Sequence, residues 1–359
     1  MIIKEIKLDS FRSYEFLEIP INKGITLFYG DNGSGKSSII ESIYFSLTGK
    51  SFRTNDTNQL IQNTKNQAQS LLVFEDGKTI KITKKKNNKA HILQNRGEKT
   101  DNFTKLVKKY PNCLIENKEF FFTTANPEQK RNFLNKILFY VEQNFSKTMT
   151  NFKKIHQNRN FALKKGQSHE ISVWSDQLLL IEEEITLINE QIIARINKEL
   201  TNKDLFSDFY DKNPWIGSIS IDYFKGYDHT KTYSQVLKEN LDKDLILKRT
   251  SDGPHKRLFK ISVNNSDANL ELSRGQQKLL SILFHLIQRE IIQQSTNIAP
   301  LLLIDDISSE LDKENLETML KYLDKNTMQS LITIIDKNTI NNTTQMFYVE
   351  QNGDTSYVR

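Results

Sequence analysis

Eight consecutive residues, Gly30-Asp31-Asn32-Gly33-Ser34-Gly35-Lys36-Ser37, match the pattern G-x-x-x-x-G-K-[ST], and the text around them limits what can surround it. Before them, Gly24-Ile25-Thr26-Leu27-Phe28-Tyr29 reads as a strand. After them, Ile39, Ile40, Ile43, Tyr44 and Leu47 recur at helical spacing, with Gly49 placed to end the helix in a left-handed cap. Strand, glycine loop and helix in that order make a P-loop, in which backbone N–H groups wrap phosphates and the helix N-terminus adds a favourable dipole. The expected ATP-binding residues are Gly30, Asn32, Gly33, Ser34, Gly35, Lys36, Ser37 and Ser38. Lys36 is the catalytic cation at the β- and γ-phosphates, and the Ser37 hydroxyl is a ligand for Mg²⁺.

A P-loop needs a carboxylate at the end of a neighbouring buried strand. Leu301-Leu302-Leu303-Ile304 is apolar on both faces, as a central parallel strand should be, and it runs into Asp305-Asp306. Asp305 is the expected Mg²⁺ partner, and Asp306 the catalytic group that orients the attacking water. Upstream, Ser273-Arg274-Gly275-Gln276 opens a helix predicted from Gly275 to about Gln294, presenting a hydroxyl and backbone N–H groups as a second anion site. Ser309-Glu310-Leu311-Asp312 lies just beyond the acidic pair. P-loop, helix-capping serine, acidic strand end and Ser309 with Asp312 follow one another in the order of an ABC-type ATPase.

The fold class expected is α/β: an ABC-type ATPase head, with a mixed sheet and flanking helices, carrying an inserted α-helical arm lobe. Residues 1–115 and 250–359 are assigned to the ATPase lobe and 116–249 to the arm. In the first part, Leu71 to Phe74, Asp76-Gly77 and Thr79 to Thr83 predict a hairpin. In the arm, Pro127 to about Lys165 and Val173 to Leu200 each keep a near-heptad apolar spacing around Gly166, which predicts two long helices side by side. Strand-like text returns at Leu258 to Val263 and Leu270 to Leu272.

Net charge is +6 with a pI near 9.0, which favours a polyanionic partner, although lysine recurs throughout the sequence. Cys113 is the only cysteine, so no intrachain disulfide forms and a reducing, cytoplasmic setting is expected. The opening residues, interrupted by Lys4, Glu5 and Lys7, read as a first strand rather than a secretory signal. No stretch approaches the roughly 20 apolar residues of a spanning helix, so no membrane partner is expected.

Several strings resemble the RecF family of bacterial recombination-mediator ATPases. They are Ser10-Phe11-Arg12-Ser13-Tyr14, the P-loop, Gly49-Lys50-Ser51-Phe52-Arg53, Asn126-Pro127 through Lys130-Arg131, Gln157-Asn158-Arg159-Asn160, Trp174-Ser175, Gly253-Pro254-His255-Lys256, Ser273 to Lys278 and Ile304 to Asp312. The resemblance implies an ATP-dependent homodimer that sandwiches two ATP molecules. Ser273, Arg274, Gly275 and Gln276 of one copy would act in trans on nucleotide at the partner's P-loop, with Ser309 and Asp312 forming the D-loop. It further implies a clamp on duplex DNA at single-strand/double-strand junctions, working with RecR and RecO to load RecA, and slow, DNA-stimulated hydrolysis that resets it.

Arg12 and Tyr14 are expected near the adenine or ribose, as in related heads. Lys84 to Lys89, Lys108-Lys109, Lys153-Lys154 and Lys164-Lys165 are candidate phosphate contacts to DNA. His255 reads as a turn residue. The sequence departs from the family pattern at Lys130, Asn135 and Arg257, and carries Asp306 where transporter ATPases have Glu. No Gln is assigned to a lobe-bridging loop, and no His occurs from Thr333 to Asp336, where transporters carry their switch histidine. A transporter ATPase subunit accounts for the nucleotide motifs alone, and an antiphage ATPase shares the head.

Overall fold

The computed structural model describes residues 1–95, 98–100, 102–116, 124–307, 311–326, 328–335 and 345–359. Along the chain, β1 (Ile3–Phe11) and β2 (Tyr14–Pro20) pair antiparallel around Arg12-Ser13, and β3 (Ile25–Tyr29) leads through the glycine loop into α1 (Lys36–Thr48). Gly49 ends α1 as expected, at φ 70 with its N–H donated to Phe45 O. The predicted hairpin is β4 (Gln67–Phe74) and β5 (Thr79–Lys85), followed by β6 (His91–Gln94), β7 (Glu98–Thr100), α2 (Phe103–Lys109) and β8 (Asn112–Ile115).

Next come α3 (Pro127–Val141), α4 (Phe145–Lys165), α5 (Ser168–Leu200), α6 (Ser207–Lys212), β9 (Ile219–Phe224), α7 (Tyr233–Glu239), α8 (Leu241–Leu247), β10 (Leu258–Val263), β11 (Ser266–Asp267) and α9 (Ala268–Glu271). The chain closes with α10 (Arg274–Thr296), β12 (Leu301–Ile304), α11 (Lys313–Lys325), β13 (Ser330–Ile334), β14 (Gln345–Asn352) and β15 (Thr355–Val358).

The chain divides into two units. The first holds Met1–Phe121, Phe206–Lys212 and Ser273–Arg359. It contains an antiparallel sheet ordered β2-β1-β4-β5-β6-β7 and a second sheet ordered β15-β14-β3-β13-β12-β8. In the second sheet β14, β3, β13, β12 and β8 run parallel, and β15 closes the edge antiparallel. All four residues of β12 are buried, as its apolar text requires of a strand flanked by β13 and β8. The parallel order places the C-terminal ends of β3, β12 and β13 together, where this class of sheet builds its ligand sites.

The second unit holds Phe122–Leu205 and Asn213–Leu272, with a sheet ordered β11-β10-β9. This departs from the expected boundaries at the first junction, which moves from 115/116 to 121/122, and in two further segments. Residues 250–272 join the second unit, because β10 pairs with β9 from Leu258↔Phe224 to Val263↔Ile219. Residues 206–212 join the first, where the Phe206 and Phe209 rings lie 5.3 and 5.7 Å from that of Tyr322 on α11.

Two element predictions are also corrected. The apolar run from Pro127 to Lys165 is broken between Val141 and Phe145, where the Glu142 N–H closes α3 on Leu138 O; α3 packs on both β10 and α5, whereas α4 packs chiefly on α5. Leu270 to Leu272 is not a strand: Asp267 caps a single helical turn by accepting from the Asn269 N–H, so α9 replaces it.

Candidate functional site

The glycine loop is held in shape by what lies behind it. Gly30 has φ 147, and a Cβ there would sit 2.1 Å from Val349 O, so β14 leaves room only for glycine. Gly35 has φ 111, and a Cβ would meet the Ser356 side chain at 2.5 Å. Tyr14, fully buried, donates its hydroxyl to Gly35 O at 3.2 Å. Expected near the adenine or ribose, Tyr14 lies buried instead, with its hydroxyl bracing the loop at Gly35.

Lys36 Nζ donates to Gly30 O and Asp31 O at 2.7 Å each, within the loop it belongs to. Burial pushes its pKa down, and Asp306, Asp305 and Asp31 oppose the shift. Ser34 Oγ is buried and finds no hydrogen-bond partner among the described residues. A donor left over inside a ring of backbone N–H groups suits a bound polyphosphate.

The acidic pair stands opposite. The Asp305 N–H donates to Ile115 O at 2.9 Å, which ties β12 to the end of β8. Asp306 has φ 55, a left-handed conformation that Asp tolerates better than most residues. Thr333 joins the two acids, a role the sequence did not suggest: its hydroxyl accepts the Asp306 N–H at 2.6 Å and donates to Asp305 Oδ1 at 2.9 Å. Burial raises the Asp305 pKa, against hydrogen bonds from Ser37 and Thr333 and the positive charge of Arg53. Ser37 and Asp305 are thus neighbours with hard oxygen donors, the set that suits Mg²⁺.

Most of the loop and Asp306, though not Asp305, line one cavity of about 480 Å³, with Arg12, Ser13, Asn32, Gly33, Gly35, Lys36, Ser37, Ser38 and Thr333 also on its walls. Arg53, Gln59, Ile61, Gln62, Asn63, Thr64 and Asp354 line it as well. Arg12 reaches the cavity, yet its guanidinium is held by Glu41, with Nε and Nη2 each 2.8 Å from a carboxylate oxygen.

The serine cap also forms. Ser273 Oγ accepts the Gln276 N–H at 3.3 Å and the Ser273 N–H donates to Gln276 Oε1 at 2.9 Å, a reciprocal capping box at the start of α10. Ser273, Arg274 and Gly275 are exposed, and a Cβ on Gly275 would meet nothing within 4 Å. Asp312 caps α11 by accepting the Asn315 N–H at 2.8 Å, and Ser309 lies outside the described residues.

The family described as "RecF/RecN/SMC N terminal domain" matches residues 2–356. The chain belongs to it. Within this RecF/RecN/SMC family, it is 27% identical over 325 residues to the "DNA replication and repair protein RecF" of Shewanella loihica, covering 89% of this chain and 88% of that protein. It is 29% identical over 326 residues to the protein of the same description from Shewanella amazonensis, with the same two coverages. A solved structure described as "Structure of the recombination mediator protein RecF-ATP in RecFOR pathway" superposes with a TM-score of 0.79 at 24% identity, over 100% of this chain and 97% of that one. An Smc head bound to the C-winged helix domain of ScpA gives 0.60 at 16%, covering 100% and 97%. Both structures share the fold of this RecF/RecN/SMC family chain.

The weaker candidates separate. Lys84 is 3% exposed, and its ammonium donates to Asn58 Oδ1, Lys85 O and Asn88 O, so it braces a turn and is withdrawn as a DNA contact. Lys85, Lys86 and Lys89 are exposed, as are Lys153, Lys154, Lys164 and Lys165 on α4 and Lys108 and Lys109 on α2. The His255 ring lies against that of His156, tilted by 34° with centroids 4.5 Å apart, and among the described residues no cluster of three metal-ligating side chains forms. Two departures from the family pattern meet each other, since Arg257 Nη2 donates to Asn135 Oδ1 at 2.8 Å. No helix among the described residues is long and apolar enough to cross a membrane.

Proposed function

We propose that the chain is a RecF-type, ATP-switched clamp on DNA at single-strand gaps. Two copies close head to tail around two ATP molecules, hold duplex DNA near single-strand junctions, and engage RecR and RecO to help load RecA. The observation that carries this reading is the pairing of features in the first unit: a formed P-loop facing two carboxylates, and a separate helix N-terminus at Ser273 that is capped yet open to solvent. An exposed, preformed anion site of that kind is what a facing copy would use on the γ-phosphate of its partner's nucleotide.

Each residue then has a task. Loop N–H groups from Gly30 to Ser38 and the Lys36 ammonium bind the phosphates, and Ser37 with Asp305 would hold Mg²⁺, which would supply neutralising positive charge. Asp306, fixed through its own N–H by Thr333, orients the attacking water. Arg12 and Arg53 add positive charge at the rim. A γ-phosphate gripped from both sides binds the closed state better than the open one, so its hydrolysis removes the differential affinity and releases the clamp. Hydrolysis is slow and is stimulated by DNA, whose backbone meets the exposed lysines.

DNA-fragment binding and oligomer mass, measured with ATP, with ADP and with Lys36→Met, test the proposal. ATP-dependent dimers that retain DNA support it. Dimers indifferent to DNA would instead favour a transporter or defence ATPase, and DNA binding independent of nucleotide would sink the clamp.

A further inference from the structure

We infer that Glu41 is a positioning residue of the nucleotide site, a buried carboxylate on α1 that fixes Arg12 and sets Arg53 toward the phosphate end of the cavity. Glu41 is fully buried, four residues beyond Ser37 on the same face of the helix. A buried carboxylate persists only when its oxygens are fully engaged, and these are. Arg12 Nε donates to Oε2 and Nη2 to Oε1 at 2.8 Å each, Ser51 Oγ donates to Oε1 at 2.5 Å, and Arg53 Nη1 lies 3.6 Å from Oε2.

The Ser51 hydroxyl extends the hold into the backbone. It accepts the N–H groups of Arg53 and Thr54, each at 3.0 Å, so the segment carrying Arg53 is tied to α1 through a single carboxylate. Arg12 is fixed as well at its main chain, where φ is 54 and the N–H donates to Leu60 O at 2.8 Å.

Two guanidiniums share one negative charge, which leaves one positive charge over at the cavity wall. Arg12 is clamped through two of its nitrogens. Arg53 is held by one longer contact, its side chain is 45% exposed, and it lines the same cavity as Lys36, Ser37 and Asp306. Arg53 therefore keeps donors for a phosphate oxygen at the metal-binding end, and a guanidinium already oriented loses less freedom on binding. Glu41 touches no nucleotide itself, and acts through the two arginines.

This inference rests on the nucleotide reading above, so the test separates the two. In the full-length protein, titrations with fluorescent MANT-ATP and MANT-ADP are compared for Glu41→Gln, Glu41→Asp, Ser51→Ala, Arg53→Ala and the double variant Glu41→Gln/Arg53→Ala, with melting temperature recorded for each. Glu41→Gln should weaken ATP by about tenfold and ADP by less, with Glu41→Asp recovering part of the loss. In the Arg53→Ala background Glu41→Gln should cost clearly less than it does alone, because the part of its effect that runs through the missing guanidinium is gone and only the part through Arg12 remains. Should Glu41→Gln prove unstable, Ser51→Ala, which cuts only the tie to the Arg53 segment, must still lower the ATP-over-ADP preference. Equal losses in both backgrounds, or unchanged ATP affinity in folded Glu41→Gln and Ser51→Ala, overturn the inference. Lys36→Met that binds ATP normally overturns the nucleotide reading instead.

Discussion

Thr333 carries more of the site than its residue type suggests. Its hydroxyl both orders the Asp306 backbone and hydrogen-bonds the Asp305 carboxylate, and it does so across separations of 27 and 28 residues. Thr333→Val keeps the volume and removes both bonds. Phosphate release should fall on the order of tenfold while MANT-ATP affinity stays near wild type, and Thr333→Ser should restore most of the rate. A fall in affinity equal to the fall in rate would place Thr333 in nucleotide binding instead. Residues such as Lys36 and Ser37 were legible because a phosphate cradle must be contiguous in sequence. Thr333 and Glu41 were not, since nothing in their own neighbourhood marks a partner nearly thirty residues away.

The His255 ring makes a second residue-scale prediction. Burial, together with His156, Lys256 and Arg131, pushes its pKa down to about 4 against the opposing charge of Asp252. The folded chain keeps the imidazole neutral while the unfolded chain takes up a proton below its ordinary value of about 6.5. Stability contributed above pH 6.5 is therefore lost as pH falls toward 4, by about 3 kcal/mol at full effect. The melting temperature of His255→Phe should depend less on pH across that window than that of wild type, and parallel curves would refute the assignment.

At the scale of elements, the second unit is joined by an ion pair that the helix periodicity concealed. Arg159 of α4 and Asp244 of α8 are each 1% exposed at the side chain and 2.8 Å apart. Arg159 also donates to Ser175 and Thr250, and Asp244 accepts the Ser251 N–H, so α4, α5, α8 and the following loop meet at one buried charge pair. Arg159→Met leaves Asp244 buried without its counter-ion and should cost about 3–5 kcal/mol in urea unfolding, with Arg159→Met/Asp244→Asn recovering a part. If the double variant is no more stable than the single, the pair is not the source of the loss. The sequence marked Gln157 to Asn160 as characteristic text without saying why. It also read Pro127 to Lys165 as one helix, because a heptad count registers apolar spacing but not which neighbour each turn faces. The start of α3 was legible: Asn126 and Gln129 cap each other and Pro127 follows at the first turn, all signals within four residues.

At the scale of the whole molecule, the proposed clamp requires that each nucleotide be completed by a second copy. Lys36→Met removes the cradle and Ser273→Arg blocks the exposed cap, and each variant alone should be inactive as an ATPase. A mixed dimer of the two retains one intact composite site, the Lys36 cradle of one chain facing the Ser273 cap of the other. Random exchange makes half of the dimers mixed, so an equimolar mixture should recover about a quarter of wild-type phosphate release per chain if the two sites act independently. Recovery should vanish when each variant is locked to its own kind, or when Lys36→Met and Ser273→Arg are placed in the same chain and mixed with itself. Activity in Ser273→Arg alone would mean that hydrolysis is completed within one copy, and the open N-terminus of α10 would then need another partner.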